Sequence, residues 1–212
     1  MRASISKKTL RLAQFALLLA IEAIVCFTPL GSIPIGPLVA TLGMVPVIIA
    51  AVVLGAGTGM AMGAFAGLFS FIVWTFFPPN PLTAFVFTPV YSLGPFKGNF
   101  WSLVVCFVPR ILVGAVTAGC LSLFTRLHWR NGLAYSVSGV LGSLTNTVLV
   151  LGGIYVFFGR SYAAALGRDI GALLGLIGLT VLTNGIPEAV IGGAAAYGIG
   201  YPLRKHVFHN FE

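Results

Sequence analysis

The stretch that decides the fold is Trp101–Phe124, which reads WSLVVCFVPRILVGAVTAGCLSLF and is almost wholly apolar apart from Arg110. About 20 helical residues cross a hydrocarbon core of about 30 Å, so this stretch predicts a membrane-spanning helix. Arginine stays charged in any protein environment, and a charge at mid-membrane costs about 2.5–3.5 kcal/mol on insertion scales. Because such residues face a bundle interior or a watery cavity, Arg110 is the first candidate for a functional residue.

Composition extends this membrane assignment to the whole chain of 212 residues, of which 58% are hydrophobic and only 8% charged. Soluble domains carry about 25% charged residues, so this chain cannot cover a water-facing surface. We therefore expect an all-α integral membrane protein with a single domain over residues 1–212, in contact with the lipid bilayer. The net charge of +8 does not indicate a nucleic-acid partner, because most basic residues flank hydrophobic segments.

The hydrophobic segments predict a six-helix bundle with spans at Leu12–Thr28, Leu38–Leu54, Met60–Phe77, Trp101–Thr125, Leu133–Phe158 and Pro187–Leu203. A membrane-skimming segment is expected over Ala163–Leu182, because Asn184-Gly185-Ile186-Pro187 has the composition of a helix break. Seven spans are the alternative. With six spans, both termini are cytoplasmic, because the basic residues then gather on one side: Arg2, Lys7, Lys8, Arg11, Arg126, Arg130, Arg204 and Lys205.

Polar side chains within the predicted spans are few, and they are Glu22, Arg110, Asn146, Asn184 and Glu188. Two interpretations of this set stay open. Arg110 and Glu188 could form a structural ion pair. Alternatively, Arg110 binds the carboxylate or phosphate of a solute through its planar fork of donors, while Asn146, Asn184 and Glu188 bind hydroxyl or amide groups. Glu22 lies in an alanine-rich span, which favours a packing or interface role.

Two ridges of small residues allow another backbone to approach closely. One is the pair Ala16 and Ala20, and the other runs through Gly59, Gly63 and Gly67. They fit either packing within the monomer or an interface with another membrane subunit. Aromatic residues that include Tyr91 and Trp101 surround the start of the fourth span, where they fit a membrane-interface belt or a lid over a binding pocket.

Several classes of site are not supported by the sequence. The chain has no GxxxxGK[ST] motif for ATP, and His128, His206 and His209 all lie outside the predicted spans. The cysteines Cys26, Cys106 and Cys120 lack the spacing of a metal site or a disulfide framework. We therefore expect no enzyme activity, no catalytic residues, no metal and no cofactor in this chain.

Four stretches resemble the substrate-binding S-components of energy-coupling factor (ECF) vitamin transporters: residues 27–72, VPRILVGAV at 108–116, GVLGSLTNTVLVLGGIY at 139–155 and NGIPEAVIGGAA at 184–195. The resemblance implies a six-helix bundle that binds a vitamin near its outer side through helices 4–6 and the loops above them. It also implies that helices 1–3 contact a transmembrane T-component, with Ala16 and Ala20 at that interface. Two cytoplasmic ABC-type ATPases would supply the energy of ATP, and the bundle would topple in the bacterial plasma membrane.

The blocks IPIGPLVAT at 33–41 and NGIPEA at 184–189 look most like S-components for pantothenate, which carries one carboxylate, two hydroxyls and an amide. The ligand set expected from this resemblance is Arg110, Asn146, Asn184 and Glu188, with Tyr91 and Trp101 above it. Riboflavin S-components are the closest competitor, but they usually carry a lysine near the start of helix 6, and this chain has Glu188 in that region. A self-sufficient carrier or channel and a structural membrane protein are the alternatives outside this family.

Overall fold

The computed structural model describes residues 6–29, 33–35, 38–40 and 42–209. Over these residues the chain is helical apart from short loops and two hairpins. The helices are α1 (Lys7–Phe27), α2 (Met44–Leu54), α3 (Ala56–Phe76), α4 (Phe100–Arg126), α5 (Asn131–Ala165) and α6 (Ile170–Lys205). One hairpin pairs β1 (Ile33–Ile35) with β2 (Leu38–Ala40), and the other pairs β3 (Ser92–Leu93) with β4 (Phe96–Lys97), both antiparallel.

Five of these helices (α1, α3, α4, α5 and α6) are long and apolar enough to cross a membrane. The chain is therefore an all-α membrane protein, as predicted. The predicted second span is shorter than expected, because Leu38–Ala40 pairs as a strand and the helix begins only at Met44. At about 1.5 Å per residue, the 11 residues of α2 extend only about 16 Å. Every residue of α2 except Val45 is buried, so α2 forms the centre of the bundle.

The predicted break at residues 184–187 is wrong. Helix α6 runs through these residues without interruption and includes a π-helical turn over Val181–Gly185. Proline lacks an amide N–H, and its ring clashes with the carbonyl four residues earlier. The wider π turn accommodates this defect just before Pro187, where the Ile186 N–H donates to the Val181 carbonyl. The expected membrane-skimming segment is therefore the first part of α6, which follows a turn at Gly167 with φ +64°.

Side-chain capping fixes the start of α4. The Asn99 side chain accepts a hydrogen bond from the Trp101 N–H (2.8 Å), and the Ser102 hydroxyl accepts one from the Asn99 N–H (3.0 Å). This reciprocal arrangement satisfies amide groups that have no partner within the helix. The Ser102 hydroxyl also donates to the Phe85 carbonyl (2.8 Å), which anchors the 3₁₀ helix Pro81–Val86 against α4.

The glycine ridge of α3 packs inside the monomer. Gly59, Gly63 and Gly67 are buried, and a methyl group added at Gly63 would lie 2.7 Å from the carbonyl carbon of Arg110. Gly59 meets α2 at Ala51, and Gly67 meets Phe107 of α4. Of the two interpretations of this ridge, these contacts support packing within the monomer rather than a partner interface, because α2 and α4 occupy the faces of these glycines.

Candidate ligand-binding cavity

A cavity lined by residues of α1 to α6 encloses about 930 Å³ when the open space at its mouth is included. Small-molecule sites combine apolar walls with convergent polar groups, and this cavity has both. The apolar wall includes Met44, Val73, Trp74, Phe87, Val150 and Leu151. The polar residues in the lining are Glu22, Ser70, Thr83, Arg110, Asn146, Thr147, Thr180, Asn184 and Glu188.

Arg110 is fixed in this cavity by the proline that precedes it. Pro109 has no N–H, so the carbonyl of Val105 lacks its usual helical donor. Nη1 of Arg110 donates to that carbonyl (3.3 Å) and to the carbonyl of Cys106 (2.7 Å). Pro109 therefore leaves a helical carbonyl without its backbone donor, and the Arg110 side chain supplies a donor in its place. These hydrogen bonds hold the guanidinium against α4.

The remaining contacts of Arg110 orient its planar fork. Nη2 donates to the Ser70 hydroxyl on α3 (3.1 Å), and the guanidinium carbon lies 5.9 Å from the centre of the Phe87 ring. A guanidinium carries five N–H donors, whereas its bonds to described residues number three. The buried side chain, 6% exposed, thus has donors left for an anion in the cavity.

Helices α5 and α6 bring two asparagines to the same cavity. Gly185 packs against the side chain of Thr147, and the residue before each of them, Asn184 and Asn146, lines the cavity. Among the described residues, Oδ1 of Asn146 and both side-chain polar atoms of Asn184 are buried without a hydrogen-bond partner. Buried polar groups are normally hydrogen-bonded, so these atoms indicate a place for a polar ligand. Glu188 lines the cavity one helical turn beyond Asn184.

Glu22 is a cavity residue for which the sequence favoured a packing or interface role. The structure buries it completely and places it in the cavity lining. The Cys26 thiol donates to its Oε1 (3.2 Å). The signal that identified Arg110, a charge inside an apolar span, applies equally to Glu22. Ser70, Trp74 and Thr180 also line the cavity, and their sequence context gives no such signal.

Tyr91 and Trp101, the residues expected above the ligand, are not among those that line the cavity. Trp101 is 45% exposed and stacks on Phe157 with ring centres 4.1 Å apart. The Tyr91 carbonyl accepts from the Gly98 N–H across the outer hairpin (3.3 Å). Phe87 and Trp74, stacked at 4.5 Å, supply the aromatic wall instead.

Helix α1 presents Ala16 and Ala20 on a solvent- or lipid-exposed face. Large apolar side chains on the same helix are also exposed, among them Leu17 (64%) and Ile24 (61%). Successive residues of a helix are about 100° apart, so Glu22 lies on the side opposite to the alanine pair. This arrangement places one face of α1 on the cavity and the other on the outside of the bundle.

Two comparisons with known proteins bear on these features. Residues 10–200 match the family model described as "ECF transporter, substrate-specific component". The chain is also 35% identical over 156 residues to the "Pantothenic acid transporter PanT" of Lactococcus lactis subsp. cremoris (strain MG1363). That alignment covers 73% of this chain and 72% of the relative. The chain is therefore a multi-pass helical membrane protein that belongs to the family of substrate-specific components of ECF transporters.

Proposed function

We propose that this chain captures pantothenate in the cavity among its six helices, as the vitamin-binding subunit of an ATP-driven ECF importer. The observation that supports this ligand most directly is the set of buried polar atoms on Asn146 and Asn184 in the cavity that Arg110 also lines. Pantothenate has an anionic end, an amide and two hydroxyls. The relative named as a pantothenic acid transporter agrees with that chemistry.

In this proposal Arg110 binds the carboxylate, because its fork geometry suits a planar anion. Asn146 and Asn184 each offer a donor and an acceptor, so they bind the amide or a hydroxyl. Glu188 accepts from a remaining donor of the ligand. Trp74 and Phe87 pack against the apolar part of the molecule, which excludes water and strengthens the polar contacts.

Membership of the family implies the partners of this chain: a transmembrane T-component and two cytoplasmic ATPases, which use ATP. We propose Ala16 and Ala20 as part of the T-component interface, because both lie on an exposed face with little else packed on it. We also propose that the chain crosses the bacterial plasma membrane with both termini in the cytoplasm. The cluster of basic residues near the two ends supports this orientation.

A thermal-shift screen of the purified chain against B vitamins tests the ligand, since a bound ligand stabilises the folded state by mass action. We expect pantothenate to raise the unfolding temperature most. A larger shift with riboflavin or another vitamin would refute the pantothenate assignment.

Proteoliposomes test the mode of transport. Accumulation of labelled pantothenate should require the T-component, the ATPases and ATP together. Uptake by this chain alone would contradict the subunit role and would instead favour a self-sufficient carrier.

A further inference from the structure

Helix α1 buries a single residue, and that residue is its one carboxylate, Glu22. Glu22 is 0% exposed, whereas Leu17 and Ile24 are more than half exposed. Apolar side chains of a membrane helix can face either the lipid or the bundle, and Phe15, Leu18 and Leu19 of α1 do pack on the core. An ionisable side chain within a membrane span faces the bundle interior or a cavity, and Glu22 lies in the cavity lining.

The Glu22 carboxylate has weak local support. Its Oε1 accepts from the Cys26 thiol, which is a weak donor. Its Oε2 is buried and has no hydrogen-bond partner among the described residues. Arg110 lines the same cavity, yet its guanidinium directs its hydrogen bonds to Val105, Cys106 and Ser70. A buried carboxylate oxygen is costly unless a donor reaches it.

We propose that Glu22 is a specificity-determining residue, whose Oε2 accepts a hydrogen bond from a hydroxyl of the anionic ligand that Arg110 binds. This inference rests on the proposed function and extends it to a helix outside α4–α6. Arg110 on α4 and Glu22 on α1 line one cavity, so a single ligand can present its anion to one and its hydroxyl to the other. A hydroxylated acid is then preferred over the same acid without hydroxyls, because the latter leaves Oε2 unpaired.

The test measures two ligands by calorimetry: pantothenate and its analogue N-(3,3-dimethylbutanoyl)-β-alanine, which keeps the carboxylate and amide but lacks both hydroxyls. We expect the natural protein to prefer pantothenate by about 10- to 100-fold, the range for a hydrogen bond to a charged group. In Glu22→Leu this preference should fall by about tenfold or more, and any preference that remains comes from the contacts of the second hydroxyl. Glu22→Gln keeps the shape and a neutral acceptor, so its preference should be intermediate, and it serves if the leucine variant does not fold.

Thr180→Val is the matched control, because Thr180 lines the cavity while its hydroxyl donates to the Leu176 carbonyl of its own helix. It should retain most of the preference for pantothenate. If Glu188→Leu abolishes the preference while Glu22→Leu retains it, Glu188 rather than Glu22 accepts from the ligand hydroxyl and the inference is wrong. An unchanged preference in a folded Glu22 variant would also overturn the inference, although pantothenate binding itself would stand. Failure of the natural protein to bind either ligand would overturn the proposed function as well.

Discussion

Gly63→Ala tests how the structure positions Arg110. Gly63 of α3 faces the backbone of α4, and a β-carbon there would lie 2.7 Å from the carbonyl carbon of Arg110 and 2.9 Å from the α-carbon of Ile111. Both are backbone atoms, so no side chain can rotate away to make room. The two helices must separate if the variant is to fold.

The required separation sets the expected effect. Moving the carbonyl carbon from 2.7 Å to an ordinary contact of 3.4 Å displaces α4 by at least about 0.7 Å. Overpacking of this kind costs about 1–3 kcal/mol of stability. A binding group must be held within about 0.5 Å of its productive position, so we also expect pantothenate affinity to fall by about tenfold or more.

The assay combines thermal unfolding in detergent with calorimetry, and Gly119→Ala is the matched control. Gly119 lies on α4, where an added β-carbon would meet nothing within 4 Å. Alanine there should be neutral or slightly stabilising, because alanine favours a helix over glycine by about 1 kcal/mol. If Gly63→Ala matched Gly119→Ala in both unfolding temperature and affinity, the close α3–α4 contact that positions Arg110 would be refuted.

Three further predictions concern the ligand and the partner. Arg110→Gln should lower pantothenate affinity at least about 30-fold in calorimetry while the bundle stays folded, because truncating one member of a buried charge pair costs about 2–5 kcal/mol. Unchanged affinity would refute the proposed contact between Arg110 and the carboxylate of pantothenate. Asn184→Ala should weaken binding by about tenfold, whereas the exposed neighbour Thr183→Ala should not, and equal effects would place Asn184 outside the ligand site. Ala16→Trp should abolish co-purification with the T-component but retain affinity for the ligand, whereas Val148→Trp, at another exposed position, should retain both; loss of ligand binding in Ala16→Trp would count against the interface.

Individual residues show how far the sequence alone could go. The motif around Arg110 predicted both a membrane helix and a polar site, because the energetic cost of an intramembrane charge depends on no tertiary detail. The same logic identified Asn146, Asn184 and Glu188, all of which line the cavity. It did not extend to Glu22, because the alanines around it favoured a packing or interface role and only tertiary packing shows which side of a helix faces inward.

Helix α6 shows a second limit of prediction from sequence alone. Asn184, Gly185 and Pro187 each disfavour a regular helix, so together they predicted a break. The folded chain keeps the helix by widening one turn, an adjustment that packing of Gly185 against Thr147 accompanies. The small residues of α3 were similarly ambiguous, since a ridge such as Gly59–Gly63–Gly67 fits a partner in the monomer or outside it equally well.

Composition and the placement of charge by themselves determined that this chain is a helical membrane protein with a polar site, because a bilayer penalises every exposed charge and unpaired amide regardless of fold. Tertiary structure decided which helices share the cavity. It turned Glu22 inward, moved Trp101 to the outside and used the glycines of α3 to bring α4 close. Those outcomes depend on the rotation and separation of packed helices, and one-dimensional spacing does not specify either.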